Sequence, residues 1–146
     1  MAMNRMAAQA NSNNSSNPNQ NICALRVAEH LGVHNQVRYL HTISDLVRAS
    51  RMRYTVRSRM SKVKGKSVGG ARKTLAQLSE TEQMQGRMGK VRGYIIRVEG
   101  HAIYLNSDGS TQVDTDSRLR DCRRITHCYM VWDDLIGQQR NYTIRV

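Results

Sequence analysis

The chain has no phenylalanine, one tryptophan and one proline, and its 23 basic residues face only 11 acidic ones. Without phenylalanine, the core of this 146-residue chain has to come from Val, Ile, Leu, Met and the six tyrosines. That supply suits one small α+β domain and leaves no second core or large buried pocket. No apolar run is long enough to cross a bilayer, so no membrane contact is expected. The first twenty residues hold one charge, Arg5, and no apolar stretch of the secretory kind, which points to a cytoplasmic protein. Cys23, Cys122 and Cys128 are odd in number and lack the C-x-x-C spacing, which fits a reduced interior. His127 lies between the last two, but a second ligand pair is missing; neither a metal nor another cofactor is expected.

What is present is positive charge, +12 in all. A balance of this size favours an anionic partner through long-range attraction and counterion release. It is also clustered: Arg48, Arg51, Arg53, Arg57, Arg59, Lys62, Lys64, Lys66, Arg72 and Lys73 follow one another without an intervening acid. The alternation of Arg51 with Arg53, and of Arg57 with Arg59, predicts several guanidinium groups on one side of an extended segment. With Lys62, Lys64 and Lys66 they form the candidate nucleic-acid surface. Only Tyr54 is near in sequence, so contacts to the phosphate backbone are expected rather than base stacking. Lys64-Gly-Lys-Ser-Val-Gly-Gly faintly suggests a phosphate loop but lacks the G-x-x-x-x-G-K-[ST] spacing.

Composition divides the chain into an Asn/Ser-rich flexible arm over 1–20 and a domain over 21–146. Ile22, Leu25, Val27, Ala28 and Leu31 make a helical stripe that Gly32 stops. A second stripe, Val37, Leu40, Ile43, Leu46 and Val47, predicts a helix from Asn35 to Met52, and a short third helix covers Ala71 to Leu78. Tyr54 to Met60 reads as a strand or an extended link. Beyond residue 90 the period becomes two, giving strands at Tyr94–Val98, His101–Asn106, Thr111–Thr115 and Arg124–Trp132. Helices followed by strands imply an α+β fold, with N-terminal helices packed on a C-terminal antiparallel sheet of about four strands.

Three residue types on these elements carry chemistry. Cys23 falls in the expected first turn of the first helix, where backbone N–H groups and the helix dipole favour a thiolate. Asp108-Gly109 predicts a two-residue hairpin turn that pairs Ser107 with Ser110. Counting outward sets His101 opposite Asp116, with Asp114 diagonal to it and on the same face. A carboxylate there would fix the imidazole tautomer and leave the other ring nitrogen for a thiol. The count favours Asp116.

Cys23-Ala-Leu-Arg26, Gly100-His101-Ala and Val113-Asp-Thr-Asp116 together resemble small phage-encoded proteins of papain-like cysteine peptidase type. The resemblance runs from about Asn21 to Trp132. It implies a papain-like fold, Cys23 as nucleophile, His101 as general base and then acid, and Asp114 or Asp116 as the orienting carboxylate, with Asp114 preferred. The family carries a glutamine six residues before the nucleophile; here that position is Asn17, and Gln20 and Asn21 are the substitute oxyanion candidates. The leading expectation is a thiol hydrolase acting on a peptide or isopeptide bond of a peptide or protein substrate, in the cytoplasm of a host cell. The alternative is a non-catalytic basic protein that binds nucleic acid through the 48–73 cluster.

Overall fold

A computed structural model describes residues 18–85, 89–116 and 121–133, with side chains from residue 22 onward. The element order is α1 (Pro18–Leu31), α2 (Ile43–Arg51), β1 (Thr55–Ser58), α3 (Met60–Val63), α4 (Val68–Gln85), β2 (Val91–Val98), β3 (His101–Asn106), β4 (Thr111–Val113) and β5 (Ile125–Trp132). The strands form one antiparallel sheet in the order β1-β5-β2-β3-β4. The fold is α+β, with five strands where four were expected. The additional strand is β1, which pairs with β5 and turns the ambiguous Tyr54–Met60 segment into a sheet edge.

The sheet is covered on both faces. On one, α3 and α4 contribute Val63, Val68, Ala71 and Leu75 to a core with Ile96, Val98, Ile103, Leu105, Met130 and Trp132. On the other, Val27, Ala28 and Leu31 of α1 and Leu46, Val47 and Ala49 of α2 pack on Ile95, Tyr104 and Val131. The near-continuous apolar runs of β2 and β3 follow from this, because both faces of a sandwiched strand must be apolar. Full burial of a Leu or Ile side chain stabilises by roughly 1.5–3 kcal/mol, so the two layers supply most of the cohesion.

Several boundaries differ from the sequence reading. Helix α1 begins at Pro18, so 18–20 are helical, whereas the rest of the expected arm, 1–17, lies outside the described residues. Its buried stripe is Cys23, Ala24, Val27, Ala28 and Leu31, while Ile22 and Leu25 face outward. Small residues in that stripe let α1 lie close on β3. Helix α2 starts at Ile43 rather than Asn35 because Thr42 and Asp45 close a reciprocal capping box. Helix α4 runs ten residues beyond the expected Ala71–Leu78 (18 against 8), because Val68, Leu75 and Ser79 all find buried places.

The β3–β4 hairpin corrects the register count. Asp108 accepts hydrogen bonds from Ser110, Gly109 adopts a left-handed φ of 88°, and Asn106 N–H bonds Ser110 O. The loop is therefore wider than the two-residue turn, and Leu105 pairs with Thr111 rather than Gln112. A bulge then restores the counted register at Tyr104 and Val113, where β4 ends. No ladder position remains for Asp116 opposite His101.

Candidate functional site

Two regions hold the residues singled out from sequence. The first lies where β4 stops and β3 continues alone. His101 Nε2 donates to Asp114 Oδ1 at 2.7 Å, and Arg123 Nη2 donates to Asp114 Oδ2 at 2.8 Å. The backbone N–H of Asp116 adds a third bond at 2.9 Å. Asp114 thus takes the position that the register count gave to Asp116, whose own carboxylate lies 3.6 Å from Arg123 Nη1. Burial alone would raise the Asp114 carboxyl. The hydrogen bonds from Arg123, His101 and Asp116 outweigh it and hold the group below the ordinary carboxylate value. The imidazole keeps Nδ1 for any further partner.

Cys23 reaches the same strand by another route. Its sulfur accepts the Ala102 N–H at 3.1 Å. Along β3 alternate N–H groups point toward β4, and Asn106 spends its own on Ser110 O. Ala102 lies two residues beyond Tyr104, where β4 no longer extends. The thiol therefore takes the place of a missing ladder acceptor. It has no solvent exposure.

Burial pushes the Cys23 thiol up, against the lowering effect of the Ala102, Ala24 and Cys23 backbone N–H groups. Burial works against the expected thiolate. The helix begins five residues earlier, so Cys23 is no longer in the first turn, and desolvation outweighs the dipole. Strand alternation adds a second point. By alternation His101 falls on the face of Ile103 and Leu105, and the α1 core packs on the Tyr104 face, although the Asp114 charge is close enough to Cys23 to raise its thiol further. Gln20 and Asn21 belong to α1, but their side chains, the oxyanion candidates, lie outside the described part.

The second region is the basic run, which the fold divides. Arg51 ends α2 and Arg53 follows it, so these two do not alternate along an extended segment. Arg53 lies over the Tyr54 ring at 5.6 Å. Arg59 precedes α3 without capping it, lies 5.1 Å from the Trp132 ring and is 3.8 Å from Glu82. Arg48, Arg51, Arg57, Lys62, Lys64, Lys66 and Lys73 remain exposed. The phosphate-loop-like segment leads into α4, whose first N–H groups are already bonded. Val68 donates to Arg123 O, Gly69 to Asp121 O and Gly70 to Ser67 Oγ. That leaves no open cradle there.

One group was missed from sequence. Tyr129 and His127 on β5 have near-parallel rings, 6.3 Å between centroids and 11° between planes. Tyr129 lines an open depression of about 460 Å³ with Ser44, Val47, Arg48, Arg51 and Met52. The alternation of β5 was the available signal, but about eighty residues separate it from Arg48. Among the described residues no helix is long and apolar enough to cross a membrane. No family model, no curated protein and no solved structure matches the chain.

Proposed function

We propose that this chain binds nucleic acid, with the basic surface around α2, β1 and α3 directed at the phosphate backbone. The observation that carries the reading is the run of exposed Arg51, Arg57, Lys62, Lys64 and Lys66 on a chain of net charge +12. Exposed cations without a neighbouring acid release counterions from a polyanion when they bind it. Fluorescence anisotropy with duplex and single-stranded DNA at about 50 and about 200 mM salt tests it, with at least a tenfold loss of affinity expected across that range. Replacing Arg57, Lys62 and Lys64 by Ala flattens the salt slope by about 0.9 for each phosphate contact removed. Absence of binding at the lower salt overturns the reading.

A second reading rests on the His101–Asp114 pair. In it the chain is a papain-like cysteine hydrolase of the phage-encoded type. Cys23 attacks a peptide carbonyl, His101 passes the thiol proton to the leaving amine, and water releases the acyl group. The reading requires the Cys23 sulfur to come free of Ala102 and meet the imidazole. Its measure is thiol labelling at neutral pH: Cys23 has to react faster than the exposed Cys122. Slower reaction ends it.

A further inference from the structure

Backbone attraction alone does not account for the aromatic pair beside the basic surface. Tyr129 pairs with Ile95 on β2 and with Ser58 on β1, which sets it on the α1–α2 face of the sheet. His127, two residues earlier, shares that face and lies opposite Arg97. There His127 is exposed, while Tyr129 and Arg97 are partly so. The wall of the adjoining depression is basic. Arg51 is anchored by Nε–H donation to Val56 O at 3.1 Å, and Arg48 is 3.1 Å from Asp45. Two aromatic rings bordered by guanidinium groups are the components of a stacking platform for unpaired bases.

We infer that the depression lined by Tyr129, Arg48 and Arg51, with His127 stacked beside Tyr129, is a base-stacking subsite for single-stranded nucleic acid. The inference rests on the nucleic-acid reading above and specifies its ligand. A base held inside a duplex presents only its edges in the grooves, so it cannot lay its face on Tyr129. An unpaired base can do so, with its phosphates beside Arg48 and Arg51. Arg97 extends the cationic border along β2, and its Nη1 donates to Thr126 Oγ at 3.2 Å.

The test uses the full chain and fluorescently labelled oligonucleotides: a thymidine single strand, its uridine counterpart and a duplex of equal length, at one salt concentration. Tyr129→Ala is expected to weaken both single strands about tenfold and to change duplex affinity less than twofold. Tyr129→Phe keeps wild-type affinity, because the ring face and not the hydroxyl does the work. His127→Ala, at an exposed position, gives about a threefold loss and decides the matter if Tyr129→Ala fails to fold. Unequal losses for the two single strands identify whether DNA or RNA is the preferred ligand. If His127→Ala and a folded Tyr129→Ala bind single strands like wild type while the Arg57, Lys62 and Lys64 replacement weakens binding, the subsite is overturned and the backbone reading stands. If the wild-type chain binds no oligonucleotide, both fall.

Discussion

The two edges of the sheet handle polar groups in opposite ways. At the β3–β4 edge every group of interest is occupied: Asp114 accepts three hydrogen bonds and the Cys23 sulfur takes the Ala102 N–H. At the β1 edge and the helices flanking it, Arg57, Lys62, Lys64 and Lys66 project into solvent. Buried charge is tolerated only when paired, and exposed pairs contribute little to stability. The first edge therefore cannot lose a partner without cost to the fold, whereas cations at the second can be removed with little.

Substitution at the two edges separates these roles. Asp114→Ala leaves His101 and Arg123 without their shared acceptor and is expected to cost about 3 kcal/mol of unfolding free energy. Arg57→Ala, by contrast, at an exposed position, changes stability by no more than about 0.5 kcal/mol. Urea denaturation of both variants measures the difference; equal losses would erase the distinction. Cys23→Ala removes the acceptor of a buried N–H and some packing, for an expected loss of about 1–2 kcal/mol in the same assay. A variant as stable as wild type would mean that the sulfur does not seal the strand.

Acid gives the mildest of the three tests. The Asp114 carboxyl is held below its ordinary value, as are the more exposed Asp108 and Asp121. A depressed carboxyl contributes its stability fully above the unfolded value near 3.8, and loses it as pH falls through the folded value. Melting temperature is therefore expected to hold at mildly acidic pH and to fall below about pH 4. Asp114→Asn shallows that fall, and an unchanged acid profile would remove Asp114 from the account.

The sequence carried the strands Tyr94–Val98 and His101–Asn106, the His101–carboxylate pairing and the charge cluster, because each shows in a short stretch of chain. Asp114 was named, but the count leaned to Asp116 since a bulge and an early strand end cannot be read from alternation alone. Helix α2 was overextended because Val37 and Leu40 pack partly against its core without being helical. The Thr42-x-x-Asp45 box marks the true start. Strand β1 was open between strand and link because its pairing with β5 is tertiary, and the meeting of Tyr129 with Arg48 is tertiary too. The sequence places Cys23 on its helix but not its burial, because a helical stripe does not report solvent access.

The sulfur bond to Ala102 has a bearing on self-association. A strand that continues past its neighbour offers unpaired backbone to any passing chain, and natural sheets blunt such ends by charge, by cover or by shortness. Here one edge carries Arg57, and repulsion between like charges discourages stacking of copies. At the other edge, among the described residues, the Cys23 sulfur takes the Ala102 N–H. Oxidation or alkylation of that thiol would then expose a template for strand addition, and the first sign of damage would be clumping rather than unfolding.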